Sequence, residues 1–188
     1  MSEELDVLRE VAQRLNQAKI AYAVSGSIAA NCYTIPRMTR DLDVVIEMGE
    51  PDIDRFIRLF QGDFFVDREM IIEEVRKRGM FNLIHAKYVF KIDFILRKDS
   101  AWQKSLFLRR QKVHVEKIPI WVVSIEDLII AKLLWAKGNN SELQLNDARN
   151  LLKSDYPKDH AYVMQYVQDL ELGEPYQKVK QWMTRMKQ

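Results

Sequence analysis

The chain has 188 residues, 47% of them hydrophobic, a single cysteine, and 29 basic against 27 acidic side chains, for a net charge of +2. That is the length of one ordinary domain with ample apolar material for a core, which excludes intrinsic disorder, a cysteine-rich metal site and a disulfide framework. So small a net charge excludes broad non-specific attraction to nucleic acid, and no apolar run reaches the ~20 residues of a membrane span.

The opening Met1-Ser2-Glu3-Glu4-Leu5-Asp6 is acidic and amphipathic rather than a leader, so the sequence reads as a soluble, reduced, cytoplasmic protein. Leu5, Leu8, Val11, Ala12, Leu15 and Ala18 recur at helical spacing over Glu4 to Lys19. A short strand is expected over Ala21 to Ser25, broken at Gly26-Ser27, then a brief helix to about Tyr33. Pro36 closes it, and Asp41 to Ile46 reads as the next strand. Pro51 suits the first turn of a helix reaching Phe60.

Further on, a short strand is expected at Phe64 to Val66, a charged helix at Glu69 to Lys77, and a hairpin of Phe81 to His85 with Val89 to Leu96. A short helix from Asp99 to about Leu106 and an extended stretch from Lys112 to Val123 complete this half. Everything beyond Ser124 reads as helix. Ser124 with Asp127 resembles a capping box, and Gly138-Asn139-Asn140 is a helix stop. Helices are expected at Ser141 to Lys153, Lys158 to Leu170 and Glu174 to Met186. The predicted organisation is therefore an α/β (α+β) core over 1–123 and a helical region over 124–188 packed on it. Arg109, Arg110 and Lys112, and later Lys178, Lys180, Arg185 and Lys187, read as solvated faces.

Asp41-Leu42-Asp43 is the most informative segment. Residues i and i+2 of a strand share a face, so both carboxylates converge while Leu42, Val44 and Ile46 turn to the core. Two acids so close favour a cation between them, and a magnesium ion that keeps room for phosphate oxygens suits them. A solvated strand with two surface acids is the plain alternative. Gly26-Ser27, between a strand and a helix, can offer backbone N–H groups and a hydroxyl to phosphate oxygens, or simply make a turn. Asp93 lies opposite Phe90, Ile92, Phe94 and Leu96 on its strand, beside Lys91, and needs a counter-charge or solvent. With Asp41 and Asp43 it would complete a metal-holding triad. Lys132 falls amid Ile125, Leu128, Ile129 and Ala136, with Glu126 and Asp127 on other sides. Its ammonium must snorkel out or meet an anion, and Asp147 in the next helix is one partner. His85, His114 and His160 are scattered, which argues against a metal-dependent phosphohydrolase.

As an ordered set these positions resemble the polymerase-beta-type nucleotidyltransferase superfamily. The shared pattern is Val24-Ser25-Gly26-Ser27, a gap of thirteen residues, Asp41-Leu42-Asp43, and Asp93 on a later strand. Thr39 to Val45 resembles the minimal bacterial members. Ser124 to Leu133, followed by Asp147 in Asn146-Asp147-Ala148-Arg149, resembles the AbiEii-type toxins, with Asn146 where a basic residue is expected and a shorter helical tail. The resemblance covers about residues 5–155 and implies a nucleotidyltransferase fold, a mixed β-sheet flanked by helices. It also implies transfer of a nucleoside monophosphate from a nucleoside triphosphate, ATP among them, to a hydroxyl.

Asp41 and Asp43 would then bridge two Mg2+ ions, with Mn2+ as an alternative, and Asp93 would bind one of them and help activate the acceptor. Gly26 and Ser27 would contact the β- and γ-phosphates, Lys132 would neutralise the triphosphate, Asp147 would orient Lys132 or the acceptor, and Arg40 would approach a phosphate. The acceptor classes are tRNA or other RNA, a protein or a small molecule, and the toxin likeness adds a cognate antitoxin as a partner. A non-catalytic interaction or nucleic-acid-binding module of the same fold is the alternative.

Overall fold

A computed structural model describes residues 3–115 and 117–185; Met186 and Lys187, placed above in the last helix and its basic face, lie outside the described residues, as do Met1 and Ser2. The elements, in chain order, are α1 (Glu3–Gln17), β1 (Ala21–Val24), α2 (Gly26–Ala30), β2 (Asp41–Glu47), a 3-10 turn at Glu50–Asp52, α3 (Ile53–Phe60), β3 (Phe64–Phe65) and α4 (Arg68–Lys77). They continue with β4 (Met80–His85), β5 (Phe90–Leu96), α5 (Ala101–Arg109), β6 (Gln111–Val115), β7 (Ile118–Val122), α6 (Ile125–Asn139), α7 (Glu142–Lys153), α8 (His160–Asp169) and α9 (Gly173–Arg185). No helix among the described residues is long and apolar enough to cross a membrane.

By its internal contacts the chain divides into two units. The first, Met1–Ile28 with Met38–Val123, contains a seven-stranded mixed sheet in the order β3-β4-β5-β2-β1-β7-β6. Its central strand is β2, antiparallel to β1 and parallel to β5. Strand alternation builds the core: Leu42, Val44 and Ile46 of β2 and Ile92, Phe94 and Leu96 of β5 are wholly buried. Phe94 meets Phe56 and Phe60 edge-on and stacks on Phe81, at 5.1–5.7 Å, and aromatic pairs of this kind contribute about 0.5–1.5 kcal/mol each beyond their area. Helix α1 lays Val7, Leu8, Val11 and Leu15 against β1 and β7. The stretch expected as one extended segment, Lys112 to Val123, is a hairpin, β6 with β7.

The second unit is Ala29–Arg37 with Ser124–Gln188. Its helices start where polar side chains cap them: Ser124, Ser141 and Asp159 accept from the backbone N–H of Asp127, Gln144 and Tyr162. Asn140 ends α6 in the left-handed conformation (φ 49°). Glu126 and Asp127, expected on sides of α6 other than its apolar arc, are buried as well. The cost of burying carboxylates is offset by partners: Asp127 accepts from the Tyr162 hydroxyl at 2.9 Å and Ser124 Oγ at 2.8 Å, and Glu126 from the Asp159 N–H at 2.8 Å. They tie the start of α8 to α6.

Candidate functional site

Strand register brings the three sequence-predicted acids onto one face of the sheet. Asp41 and Asp43 lie two apart on β2, and across the parallel pair Asp43 stands beside Asp93 and Asp41 beside Lys91. The same face of β4 contributes Asn82, next to Asp93, and Ile84, next to Lys91. Asp41 and Asp43 are partly exposed, whereas Asp93 retains 6% exposure.

The carboxylates have different partners. Asp41 Oδ1 accepts from the Thr39 hydroxyl at 2.6 Å. Asp93 Oδ2 meets the Lys91 ammonium at 2.6 Å, while Asp93 Oδ1 is buried with no hydrogen-bond partner. The hydrogen bond to Asp93 raises the pKa of Lys91 above its usual value, with further support from the charges of Asp93, Asp41 and Asp43. The lysine is thus held charged among three acids.

The turn after β1 closes on the same acids. Ser25 donates its N–H to the Asp43 carbonyl at 2.8 Å, and Gly26 has φ +63°. A Cβ on Gly26 would fall 1.8 Å from Asp43 Oδ2. Glycine is required twice over here, for its backbone angle and for the carboxylate lying against it. Ser27 is buried at 7% exposure, and Arg40 is exposed just ahead of β2.

Hard oxygen donors are what a divalent ion of the magnesium type takes, and the lone pairs of Asp93 Oδ1 meet no hydrogen-bond donor, so the donor set fits such an ion in kind. Even so, among the described residues no group of three or more His, Cys, Asp or Glu side chains is positioned to hold a metal ion. Positive charge at this face comes from Lys91 instead.

Lys132 and Asp147 meet within the helical unit. They are 3% and 5% exposed, with Lys132 Nζ 2.8 Å from Asp147 Oδ2. The lysine does not snorkel; it pairs. Arg37 is a second cation on the same carboxylate, its guanidinium donating to Oδ2 at 3.0 Å and to Oδ1 at 3.4 Å. Burial by itself would raise the Asp147 pKa, but the hydrogen bonds from Arg37 and Lys132 prevail and hold it below the usual carboxylate value.

Three partners escaped the sequence reading as site residues: Thr39, Lys91 and Arg37. Lys91 was signalled by its alternation with Asp93. Arg37 reaches Asp147 across 110 residues and leaves no local pattern.

A separate cavity of about 290 Å³ lies beside Glu10, Asp63, His85, Lys87 and Tyr88. There His85 Nδ1 accepts the Lys87 and Tyr88 N–H groups while Nε2 faces Glu10 at 3.2 Å, so the ring is satisfied locally.

The mixed sheet and its flanking helices form a nucleotidyltransferase fold. Among solved structures, a nucleotidyltransferase-like protein from Paracoccidioides brasiliensis is similar with a TM-score of 0.52 at 18% identity, over 78% of this chain and 72% of that one. A candidate nucleotidyltransferase from Thermotoga maritima gives 0.53 at 19%, over 75% and 89%. A lincosamide antibiotic adenylyltransferase with lincomycin bound gives 0.52 at 16%, over 81% and 97%. At these identities the likeness is one of fold. No family model and no curated protein matches the sequence.

Proposed function

We propose that the protein is a metal-dependent nucleotidyltransferase that moves a nucleoside monophosphate from a nucleoside triphosphate to a hydroxyl acceptor. The observation that carries this reading is the register of Asp41, Asp43 and Asp93 on one sheet face, with a buried, unpartnered oxygen on Asp93. Asp41 and Asp43 would hold two Mg2+ ions, or Mn2+, with Asp93 completing the set. When bound, such ions neutralise phosphate oxygens and acidify the attacking hydroxyl.

Gly26 and Ser27, on the turn pressed against Asp43, orient the β- and γ-phosphates. Asp93 accepts the proton of the acceptor hydroxyl as that oxygen bonds to the α-phosphorus. The bond from the α-phosphorus to the bridging oxygen breaks, and pyrophosphate leaves. Arg40 approaches a phosphate. Lys132 would neutralise the triphosphate, and Asp147, which pairs with Lys132 and with Arg37, would orient it or the acceptor.

The acceptor belongs with the proposal. The AbiEii-type likeness of Ser124 to Leu133 and Asp147 favours tRNA or another RNA and a toxin role opposed by an antitoxin. The lincomycin-bound neighbour favours a small-molecule hydroxyl. The test is incubation of the protein and Mg2+ with each α-labelled triphosphate and, separately, total RNA, total protein and a lincosamide. Label transferred to one acceptor class, and lost in Asp43→Asn, is the expected result. No transfer to any of them, with no magnesium-dependent triphosphate binding, would overturn the reading.

One observation favours the alternative, a non-catalytic binding module of the same fold: no three metal-ligating side chains stand ready, and Lys91 already neutralises part of the face. Triphosphate or RNA binding indifferent to magnesium would mark that module.

A further inference from the structure

The carboxylate face carries its own cation. The Lys91 ammonium lies 2.6 Å from Asp93 Oδ2, and its strand neighbour is Asp41. The two partners are unequal in freedom: the Lys91 side chain is 46% exposed, the Asp93 side chain 9%. Asp93 is fixed by its place inside the sheet, while a four-carbon stem in solvent can swing the ammonium away. The pairing is also incomplete, since Asp93 Oδ1 stays buried without a partner. An ion pair serving stability alone is expected to satisfy the buried carboxylate fully. This one satisfies half of it, on a sheet face that carries two more acids.

We propose that Lys91 is a built-in counter-ion that a divalent cation must displace from Asp93, so that metal loading is an exchange of cations rather than the filling of a prepared site. The proposal rests on the nucleotidyltransferase reading and deepens it. It accounts for the absence, among the described residues, of a ready three-ligand cluster although register sets three acids side by side. The ammonium offsets part of the negative charge that register gathers on this face before the metal arrives. Once displaced, it is a mobile cation beside the carboxylates, where phosphate oxygens would be its next partner.

The experiment measures Mn2+ affinity without nucleotide, by calorimetry and by the electron paramagnetic resonance signal of free Mn2+. The wild type, Asp43→Asn, Lys91→Gln and Lys91→Arg are compared. Glutamine keeps a hydrogen-bond donor for Asp93 but removes the competing charge; arginine keeps the charge and strengthens the pairing. Lys91→Gln is expected to bind Mn2+ roughly tenfold or more tightly, as loss of a like charge a few ångströms away implies. Its melting temperature should fall without metal and recover with Mn2+. Lys91→Arg should bind no more tightly than the wild type. Mn2+ binding by Lys91→Gln alone would be the strongest form of the same result.

Should the wild type bind Mn2+, Asp43→Asn fail to, and Lys91→Gln bind no better than the wild type, the exchange is overturned while the transferase reading stands. Should neither the wild type nor Lys91→Gln bind Mn2+ without nucleotide, the exchange is overturned, and the transfer and triphosphate-binding assays above decide the transferase reading separately.

Discussion

The carboxylate face of the sheet and the Asp147 cluster of the helical unit hold the same kinds of group in opposite proportion. On the sheet, Lys91 pairs with Asp93 on a face that also carries Asp41 and Asp43, and one buried oxygen of Asp93 is left without a donor. In the helical unit a single carboxylate, Asp147, takes both Arg37 and Lys132. One group is short of positive charge and the other has a surplus. A buried carboxylate with two cations is locally satisfied and chiefly adds stability; an unsatisfied one is a standing cost that a ligand would relieve. The difference supports the proposed division, with chemistry on the sheet face and structure together with anion attraction in the helical cluster.

The largest expected effect breaks the comparison on the sheet side. Asp43→Asn keeps the side-chain shape and removes a charge. Nucleotidyl transfer should drop about a thousandfold, corresponding to several kcal/mol of lost stabilisation at about 1.4 kcal/mol per tenfold. The melting temperature should hold or rise, because repulsion from Asp41 and Asp93 is relieved. A fall in stability with transfer intact would turn the acid into a structural one. On the helical side the pattern reverses. Asp147→Ala leaves Lys132, only 3% exposed, without its carboxylate and should cost about 3–5 kcal/mol in urea denaturation. Lys132→Met should cost less, about 1.5–3 kcal/mol, because Arg37 still satisfies Asp147. Equal costs for the two substitutions would show that Arg37 contributes nothing.

A smaller effect tests the turn against the sheet. Gly26→Ala should destabilise by at least about 1–2 kcal/mol from its left-handed backbone alone, with more from the displaced Asp43 carboxylate. Gly62→Ala, where a Cβ would meet nothing within 4 Å, should stay within about 0.5 kcal/mol of the wild type. Matching losses in the two would show that the Gly26 contact is not what confines that position to glycine.

Most of the sheet was legible because strand alternation is a local signal. Leu42, Val44 and Ile46 had to face inward, which set Asp41 and Asp43 together, and the same reasoning put Lys91 on the Asp93 side of β5. Register between strands is not local. That Asp43 stands beside Asp93 and Asp41 beside Lys91 depends on a parallel pairing some fifty residues apart, which spacing alone does not determine. On α6, periodicity placed Lys132 among apolar neighbours correctly and put Glu126 and Asp127 off that apolar arc, with no sign that they too are buried. Their burial is set by Asp159 and Tyr162 on another helix, and helical period cannot foresee a partner that makes a buried acid tolerable. Arg37 was illegible for the same reason.

The smallest expected effect concerns acid stability of the helical cluster. With the hydrogen bonds from Arg37 and Lys132 overcoming burial, the folded-state pKa of Asp147 lies below its ordinary value of 3.8. A carboxyl depressed on folding contributes stability that is fully present above the unfolded pKa and is lost as pH falls through the folded one. The window therefore opens at 3.8 and extends downward. Arg37 and Lys132 remain charged throughout it, so protonating Asp147 leaves two cations facing a neutral group. Asp147→Asn never carries that charge. The stability gap between the wild type and Asp147→Asn, measured by urea denaturation, should be constant from about pH 7 to about pH 5 and shrink below about pH 4. Other carboxylates titrate in both chains and cancel in the difference. A gap that stays constant down to about pH 2.5 would show that Asp147 gains no stabilisation from its two cations that the neutral amide does not also gain, and the contrast with the sheet face would lose its electrostatic basis.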